Sequence, residues 1–161
     1  MIVPLIFGIG AALTAMVGVN TGAGQLDRAF RIGWVGAAAA GLLAGVIGLV
    51  VAIWPDLWVG LYTDDPAVLA SGAVYLRVVG SLYVFQGVGL ALFFASQGAG
   101  TVLWPVVAVT LRLMVAAGGG AVAVLVLDMG LTSIYALVGA GTIIFGTVTA
   151  LSLLFGAWRR T

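Results

Sequence analysis

Three polar side chains lie inside long apolar stretches of the sequence, where they could bind a ligand. Tyr83 and Gln86 lie in the stretch 72–97, and Arg112 lies in the stretch 102–127. Because Tyr83 and Gln86 are three residues apart, a helix places them on one face. Tyrosine and glutamine can donate and accept hydrogen bonds, and arginine adds a fixed positive charge. We therefore predict Gln86, Tyr83 and Arg112 as binding residues that line a cavity.

Two of these residues, Arg112 and Gln86, also have a structural alternative. Arginine within an apolar helix that spans a membrane costs about 2.5 to 3.5 kcal/mol on insertion scales, so it normally faces protein or water. Arg112 could bond to carbonyl groups at helix ends, or it could act in gating or in ligand passage. Gln86 could make a hydrogen bond between helices instead of contacting a ligand. The residues alone leave both pairs of alternatives open.

The amino-acid inventory excludes most catalytic chemistry. The chain contains no Lys, Glu, His or Cys. It therefore has no disulfide, no thiolate nucleophile, no histidine base and no His or Cys metal site. We predict that the chain is not an enzyme and has no catalytic residues, no metal and no cofactor. A net charge of +1 with scattered arginines also gives no indication of a nucleic-acid surface.

The composition predicts a protein dissolved in lipid. Hydrophobic residues make up 63% of the chain and charged residues only 7%, whereas a soluble domain carries roughly a quarter charged residues. The mean hydropathy is +1.29. Too few charged side chains are available to cover an exterior that faces water.

Apolar stretches with at most one charged residue, long enough to cross a bilayer, divide the chain into transmembrane helices. A helix needs about 20 residues to cross a hydrocarbon core of about 30 Å. A cleaved signal peptide is disfavoured for the first stretch because no basic region precedes it. We predict an all-α membrane protein, with a polytopic bundle of five transmembrane helices in one domain over 1–161. The predicted spans are about 1–19, 32–55, 72–97, 102–127 and 132–158.

Asp65 and Pro66 predict where the third helix begins. Asp65 can accept hydrogen bonds from free amide groups, and Pro66 suits the first helical position. A helix from Pro66 to about Gln97 would extend roughly 50 Å, so its first turns would lie outside the hydrocarbon core.

Two glycine-rich corners join neighbouring helices, and their residues suit tight turns or gating. Glycine tolerates unusual backbone angles, and Asn can satisfy exposed carbonyl groups. Three further glycines, 118–120, could bend the fourth helix or admit a neighbour. The predicted structural or gating residues are Asn20, Gly18, Gly22, Gly24, Gly98, Gly100 and Pro105.

The charged residues sort by side when five spans alternate across the membrane. Four arginines (Arg28, Arg31, Arg159 and Arg160) fall on one side, and four aspartates (Asp56, Asp64, Asp65 and Asp128) fall on the other. Asp27 is the exception. Basic residues accumulate on the cytoplasmic face, so we predict a multi-pass cell-membrane protein with a cytoplasmic C-terminus.

Several segments resemble the multidrug and toxic-compound extrusion (MATE) transporter family in the family's order. Residues 18–25, Gly-Val-Asn-Thr-Gly-Ala-Gly-Gln, followed by Arg28 and Ala29, are similar to its "VGxNxGAG…RA" signature. The later matches are Pro55, 61–66, 75–78, 97–101, Pro105 and Arg112. The resemblance covers nearly the whole chain.

The resemblance implies a transporter built from two six-helix lobes. This chain would supply helices eight to twelve of the second lobe, so we expect an N-terminally truncated lobe that needs the missing N-terminal lobe as a partner. The implied activity is that of a secondary active antiporter, which exports small organic or cationic compounds in exchange for H⁺ or Na⁺. Some members carry an acidic residue for cation coupling where this chain has Gln86. We therefore expect the fragment to be inactive alone.

Two alternative functions stay open at this point. A lipid or polysaccharide-precursor flippase of a related family would share the two-lobed fold. A non-transporting membrane subunit could pack its glycine-rich faces against another chain.

Overall fold

The protein is a bundle of α-helices in the computed structural model, which describes residues 2–159. Met1, Arg160 and Thr161 lie outside the described residues, as does the side chain of Arg159. The predicted C-terminal arginine pair is therefore not part of the structural description. The helices are α1 (Ile2–Gly22), α2 (Leu26–Ile53), α3 (Pro55–Val59), α4 (Pro66–Tyr75), α5 (Tyr83–Gly98), α6 (Leu103–Leu113), α7 (Gly120–Leu125) and α8 (Leu131–Leu154).

Three short segments complete the helical structure. Two are π-helices, in which backbone hydrogen bonds join residues five apart instead of four. The first π segment, Leu76–Gly80, continues α4, and the second, Met114–Gly119, joins α6 to α7. A 3₁₀ turn, Ala157–Arg159, follows α8.

The helices confirm the predicted class, an all-α polytopic membrane protein. The helices Ile2–Gly22, Leu26–Ile53, Leu103–Leu125 and Leu131–Leu154 are each long and apolar enough to cross a membrane. Another pair, Pro66–Gly80 and Tyr83–Gly98, passes the same test together and brings the number of spans to five if it crosses as one.

The third span differs from the single straight helix expected between Pro66 and Gln97. It bends by 56° between Gly80 and Tyr83. No proline lies at the bend. The first π segment precedes it, and the Ser81 hydroxyl donates a hydrogen bond to the carbonyl oxygen of Val78 at 2.9 Å. Both features break the regular hydrogen-bond ladder of an α-helix, which is a recognised cause of kinks.

The predicted start of that span is confirmed. Asp65 caps α4, and its side chain accepts hydrogen bonds from the backbone amides of Ala67 at 2.8 Å and Val68 at 3.4 Å. Pro66 occupies a first-turn position, where its missing amide leaves no hydrogen bond unmade.

The two glycine corners have the same backbone geometry. In the first, the amide of Gln25 donates to the carbonyl of Asn20 at 2.8 Å, and Gly24 has φ 72°. In the second, the amide of Thr101 donates to the carbonyl of Ser96 at 2.9 Å, and Gly100 has φ 73°. These are the bonds and the left-handed residue of a Schellman helix end.

The other predicted corner residues lie around these two turns. The Asn20 side-chain amide donates to the carbonyl of Met16 at 2.7 Å. A Cβ on Gly18 would lie 3.3 Å from the carbonyl oxygen of Gly98, so the two corners are held close together. Gly22 has open space around it. Pro105 is buried in the first turn of α6.

We expect Gly100→Ala to lower the free energy of unfolding by about 1 kcal/mol. A left-handed backbone costs an L-residue about 1 to 2 kcal/mol, and lower entropy of the unfolded chain offsets part of that. Gly100→Asn should cost less, because asparagine tolerates this conformation. Gly22→Ala is the matched control and should be nearly neutral. Denaturant titration in mixed micelles measures all three, and equal effects at the two glycines would contradict the assignment.

Helix α5 lies at the centre of the bundle and approaches its neighbours through glycines. A Cβ on Gly87 would overlap the carbonyl oxygen of Ala40 in α2, and one on Gly98 would overlap that of Thr14 in α1. Toward α8, a Cβ on Gly146 would lie 2.5 Å from the carbonyl oxygen of Phe85. Small residues allow this close backbone approach, which drives helix association in lipid.

One end of the bundle is formed where α5 and α8 finish and α2 begins. Trp158 donates a hydrogen bond to the Ser96 hydroxyl at 3.3 Å and packs against Gly33, so the ends of α5 and α8 meet the start of α2. The exposed Arg28 and Arg31 lie at this end. We call it the basic end of the bundle.

Candidate functional site

Tyr83 lines a cavity at the end of the bundle opposite the basic end. It is the first residue of α5 after the bend, and a Cβ on Gly48 of α2 would lie only 2.8 Å from the Tyr83 Cβ. The cavity has a volume of about 320 Å³, within the range of small-molecule pockets. The other lining residues are Ile2, Leu5, Ile47, Val51, Trp58 and Leu76.

The cavity offers aromatic faces and little polarity. Trp58 and Tyr83 supply rings, each with one polar group, an indole N–H and a hydroxyl, and the other lining side chains are aliphatic. Aromatic faces attract cations by about 0.5 to 2 kcal/mol when water is excluded. Such a pocket suits a lipophilic molecule that carries an aromatic ring or a diffuse positive charge.

Gln86 lies on α5 between the residues that pack against α2 and those that pack against α8. It follows Leu82, which packs against Gly139 of α8, by four residues, and Tyr83, which packs against Gly48 of α2, by three. Residues three and four apart are neighbours on a helix surface, so Gln86 lies between these two contacts. Its side chain is half-buried, and the described residues offer it no hydrogen bond.

Arg112 lies against α8 rather than in the Tyr83 cavity. Its guanidinium carbon is 5.6 Å from the centre of the Phe145 ring, a cation–π distance. A Cβ on Gly141 would lie 3.3 Å from the Arg112 Cγ, so the side-chain stem runs along that glycine. In the described part of the chain, Arg112 makes no ion pair.

A hydroxyl and aromatic cluster joins α4 to α8 and was not predicted from the sequence. The Ser71 and Tyr135 hydroxyls are 2.7 Å apart, and the Tyr75 and Tyr135 rings meet edge to face at 5.3 Å. Phe145, whose ring lies under the Arg112 guanidinium, was also not predicted. The sequence does show these polar and aromatic side chains within apolar stretches. Which of them pair, however, depends on how the helices pack.

Of the three predicted binding residues, Tyr83 lines this cavity and the other two do not. Tyr83 packs on α2, Arg112 packs on α8, and Gln86 lies on α5 between the contacts with these two helices. The fold therefore provides an aromatic cavity at Tyr83 and a separate contact between an arginine and an aromatic ring on α8. Among residues 2–159, no group of three His, Cys, Asp or Glu side chains could hold a metal ion.

Comparison with known proteins identifies the family. The MatE family model matches residues 1–122, which is most of the chain. The chain belongs to the MatE family. This match agrees with the apolar helices and with the multidrug-resistance proteins to which the chain is similar, so the family is one of multidrug efflux transporters in the membrane.

Two curated relatives are much longer than this chain. The probable multidrug resistance protein NorM of Thermotoga maritima is 25% identical over 162 residues, which cover 96% of this chain and 33% of the relative. The NorM of Mesorhizobium japonicum is 32% identical over 90 residues, which cover 53% of this chain and 19% of that relative. The chain thus spans at most about a third of their length. No solved structure matches it significantly.

Proposed function

We propose that this MatE chain forms part of a secondary active antiporter, which exports organic and often cationic compounds in exchange for H⁺ or Na⁺. The chain contributes one aromatic wall of the substrate path in this antiporter, and Tyr83 lies at the centre of that wall. The cavity beside Tyr83 is the observation that carries this proposal, since it combines drug-sized volume with aromatic lining.

The chain needs a further lobe for transport. No aspartate lies within the predicted spans, and glutamate is absent. Gln86, at the position where the family resemblance implies a coupling acid in some members, cannot bind a proton near neutral pH. A larger protein would supply the coupling site, in keeping with the length of the NorM relatives.

Binding and transport measurements test the two parts of the proposal. The chain in lipid nanodiscs should bind ethidium, a fluorescent aromatic cation, in a saturable way. Tyr83→Ala should weaken binding about tenfold, because loss of a desolvated ring contact costs about 1 to 2 kcal/mol. In proteoliposomes, the chain alone should move no ethidium under an imposed H⁺ or Na⁺ gradient.

Matched variants separate the cavity from general hydrophobic binding. Phe155 is 76% exposed and follows α8, outside the cavity, so Phe155→Ala should leave ethidium binding unchanged. Tyr83→Phe keeps the ring and should retain most of the affinity. If Phe155→Ala and Tyr83→Ala weaken binding equally, the cavity is not the site. Gradient-driven uptake by the chain alone would refute the need for another lobe.

A further inference from the structure

An apolar groove runs between α1 and α2 and ends at two arginines. The groove has a volume of about 580 Å³. Leu13 and Gly36 pack closely and form its floor, while Met16 and Val35 are exposed along its walls. Arg28 and Arg31 line it at the basic end of the bundle.

Arg28 and Arg31 concentrate positive charge at this end of the groove. They are three residues apart on α2, so they lie on one face of that helix, and both are exposed. In the part of the chain that the structure describes, neither makes an ion pair. The end of the groove therefore attracts an anion.

The length of the groove matches the thickness of the hydrocarbon region of one bilayer leaflet. It extends along α2 from Arg28 to Ala39, which at 1.5 Å per residue is about 16 Å. Half of a hydrocarbon core of about 30 Å is about 15 Å. A molecule with its anionic group at Arg28 and Arg31 would therefore place an acyl chain along the whole groove.

We propose that this groove binds an anionic phospholipid of the surrounding bilayer. The phosphate group contacts Arg28 and Arg31, and an acyl chain lies against Met16, Val35 and Ala39. Charge complementarity selects the headgroup, since basic pockets between transmembrane helices hold anionic lipid headgroups. The groove supplies the contacts to the acyl chain. This site is independent of the proposed transport activity and lies away from Tyr83.

Lipid titration monitored by native mass spectrometry tests the proposal. The detergent-solubilised chain is titrated with phosphatidylglycerol and, separately, with phosphatidylcholine of the same acyl chains. Phosphatidylglycerol should bind more tightly. An arginine near an anionic lipid surface contributes about fivefold, so Arg28→Gln with Arg31→Gln should weaken phosphatidylglycerol binding about 30-fold. Binding of phosphatidylcholine should change much less.

Control variants distinguish the groove from the general surface charge. Arg77 is exposed in the first π segment, away from the groove, so Arg77→Gln should leave the lipid preference unchanged. Ala39→Trp fills the groove and should weaken both lipids. Ala38 is also exposed but points to another side of α2, so Ala38→Trp should have no such effect.

Several results would overturn the proposal. Equal losses from Arg77→Gln and the Arg28 and Arg31 pair would mean only bulk electrostatic attraction. Unchanged lipid binding in Ala39→Trp would mean that no acyl chain occupies the groove. A dimer whose formation Ala39→Trp abolishes would make a second copy the occupant. Raising the salt concentration should weaken phosphatidylglycerol binding to the unmodified chain, and an absence of this effect would also contradict the proposal.

Discussion

Gly87→Val should lower the free energy of unfolding by about 3 kcal/mol and partly separate α2 from α5. A Cβ at this position would overlap the carbonyl oxygen of Ala40 and lie 2.8 Å from the Ala44 Cβ. Overpacked cores typically lose 1 to 3 kcal/mol, and here the obstruction is backbone that cannot rotate away. We therefore expect an effect at the upper end of that range. Unfolding in mixed micelles, followed by tryptophan fluorescence, measures the change.

Gly8→Val is the matched control for this substitution. Gly8 also lies within a long apolar helix, but nothing lies within 4 Å of a Cβ placed there. This variant should unfold within about 0.5 kcal/mol of the unmodified chain, as surface substitutions usually do. If both valines destabilise the chain equally, helix propensity rather than the approach of α2 to α5 explains the loss.

Phe145→Ala should be the second most damaging of the substitutions considered, at about 2 kcal/mol. Phe145 is only 2% exposed, and its ring fills the space where a Cβ on Gly89 would lie. In water-soluble proteins, Phe→Ala costs about 3 to 5 kcal/mol, a sum of transfer and cavity contributions. Because lipid tails are as apolar as a protein core, the transfer part largely disappears in a bilayer. The lost packing remains, and the same unfolding titration measures it.

Phe155→Ala provides the control on the same stretch of chain. Phe155 follows α8 and is 76% exposed, so its truncation should cost little. Equal destabilisation by the two alanine substitutions would show that burial against α5 is not the cause.

A double-mutant cycle can isolate the contact between Arg112 and Phe145. Arg112→Met removes the charge and keeps most of the side-chain length, and Phe145→Leu removes the ring and keeps much of the volume. Their combined effect should depart from the sum of the single effects by about 0.5 to 2 kcal/mol, as expected for a partly desolvated cation–π pair. Additive effects would mean that Arg112 rests on α8 through its stem alone.

Much of the fold could be predicted because its signals are local. The length of the apolar stretches predicts helices in lipid, since the hydrocarbon core fixes how long a span must be. Asp65 and Pro66 identify a helix start through their own hydrogen-bonding chemistry. The backbone freedom of Gly24 and Gly100 is also a property of the residue itself, and both adopt positive φ.

The bend in the third span had no comparable signal. Its sequence contains no proline between Pro66 and Gly98, and the break follows the first π segment, whose Gly80 packs against Gly48 of α2. A π segment depends on contacts with neighbouring helices as well as on local preference. The sequence therefore predicted the span but not its 56° bend.

The candidate site, too, could be predicted only in part. The sequence identifies Tyr83, Gln86 and Arg112, because polar side chains are costly in lipid and occur there mainly where they have a structural or functional role. Three other features join residues that are far apart along the chain: the cavity beside Tyr83, the contact of Arg112 with the Phe145 ring, and the hydrogen bond between Ser71 and Tyr135. Such pairings follow from which helix faces meet.

Four features follow from the amino-acid sequence alone: a lipid surrounding, the helical class, the helix start at Asp65 and the left-handed glycines of both corners. Each of these depends on the chemistry of one residue or one stretch. The central place of α5 becomes evident from the packing of the helices, as does the difference between Gly87, which contacts a neighbouring backbone, and Gly8, where an added Cβ would meet nothing within 4 Å. Two glycines in apolar helices look alike in the sequence, because the energy of close packing belongs to a pair of helices and not to either residue alone.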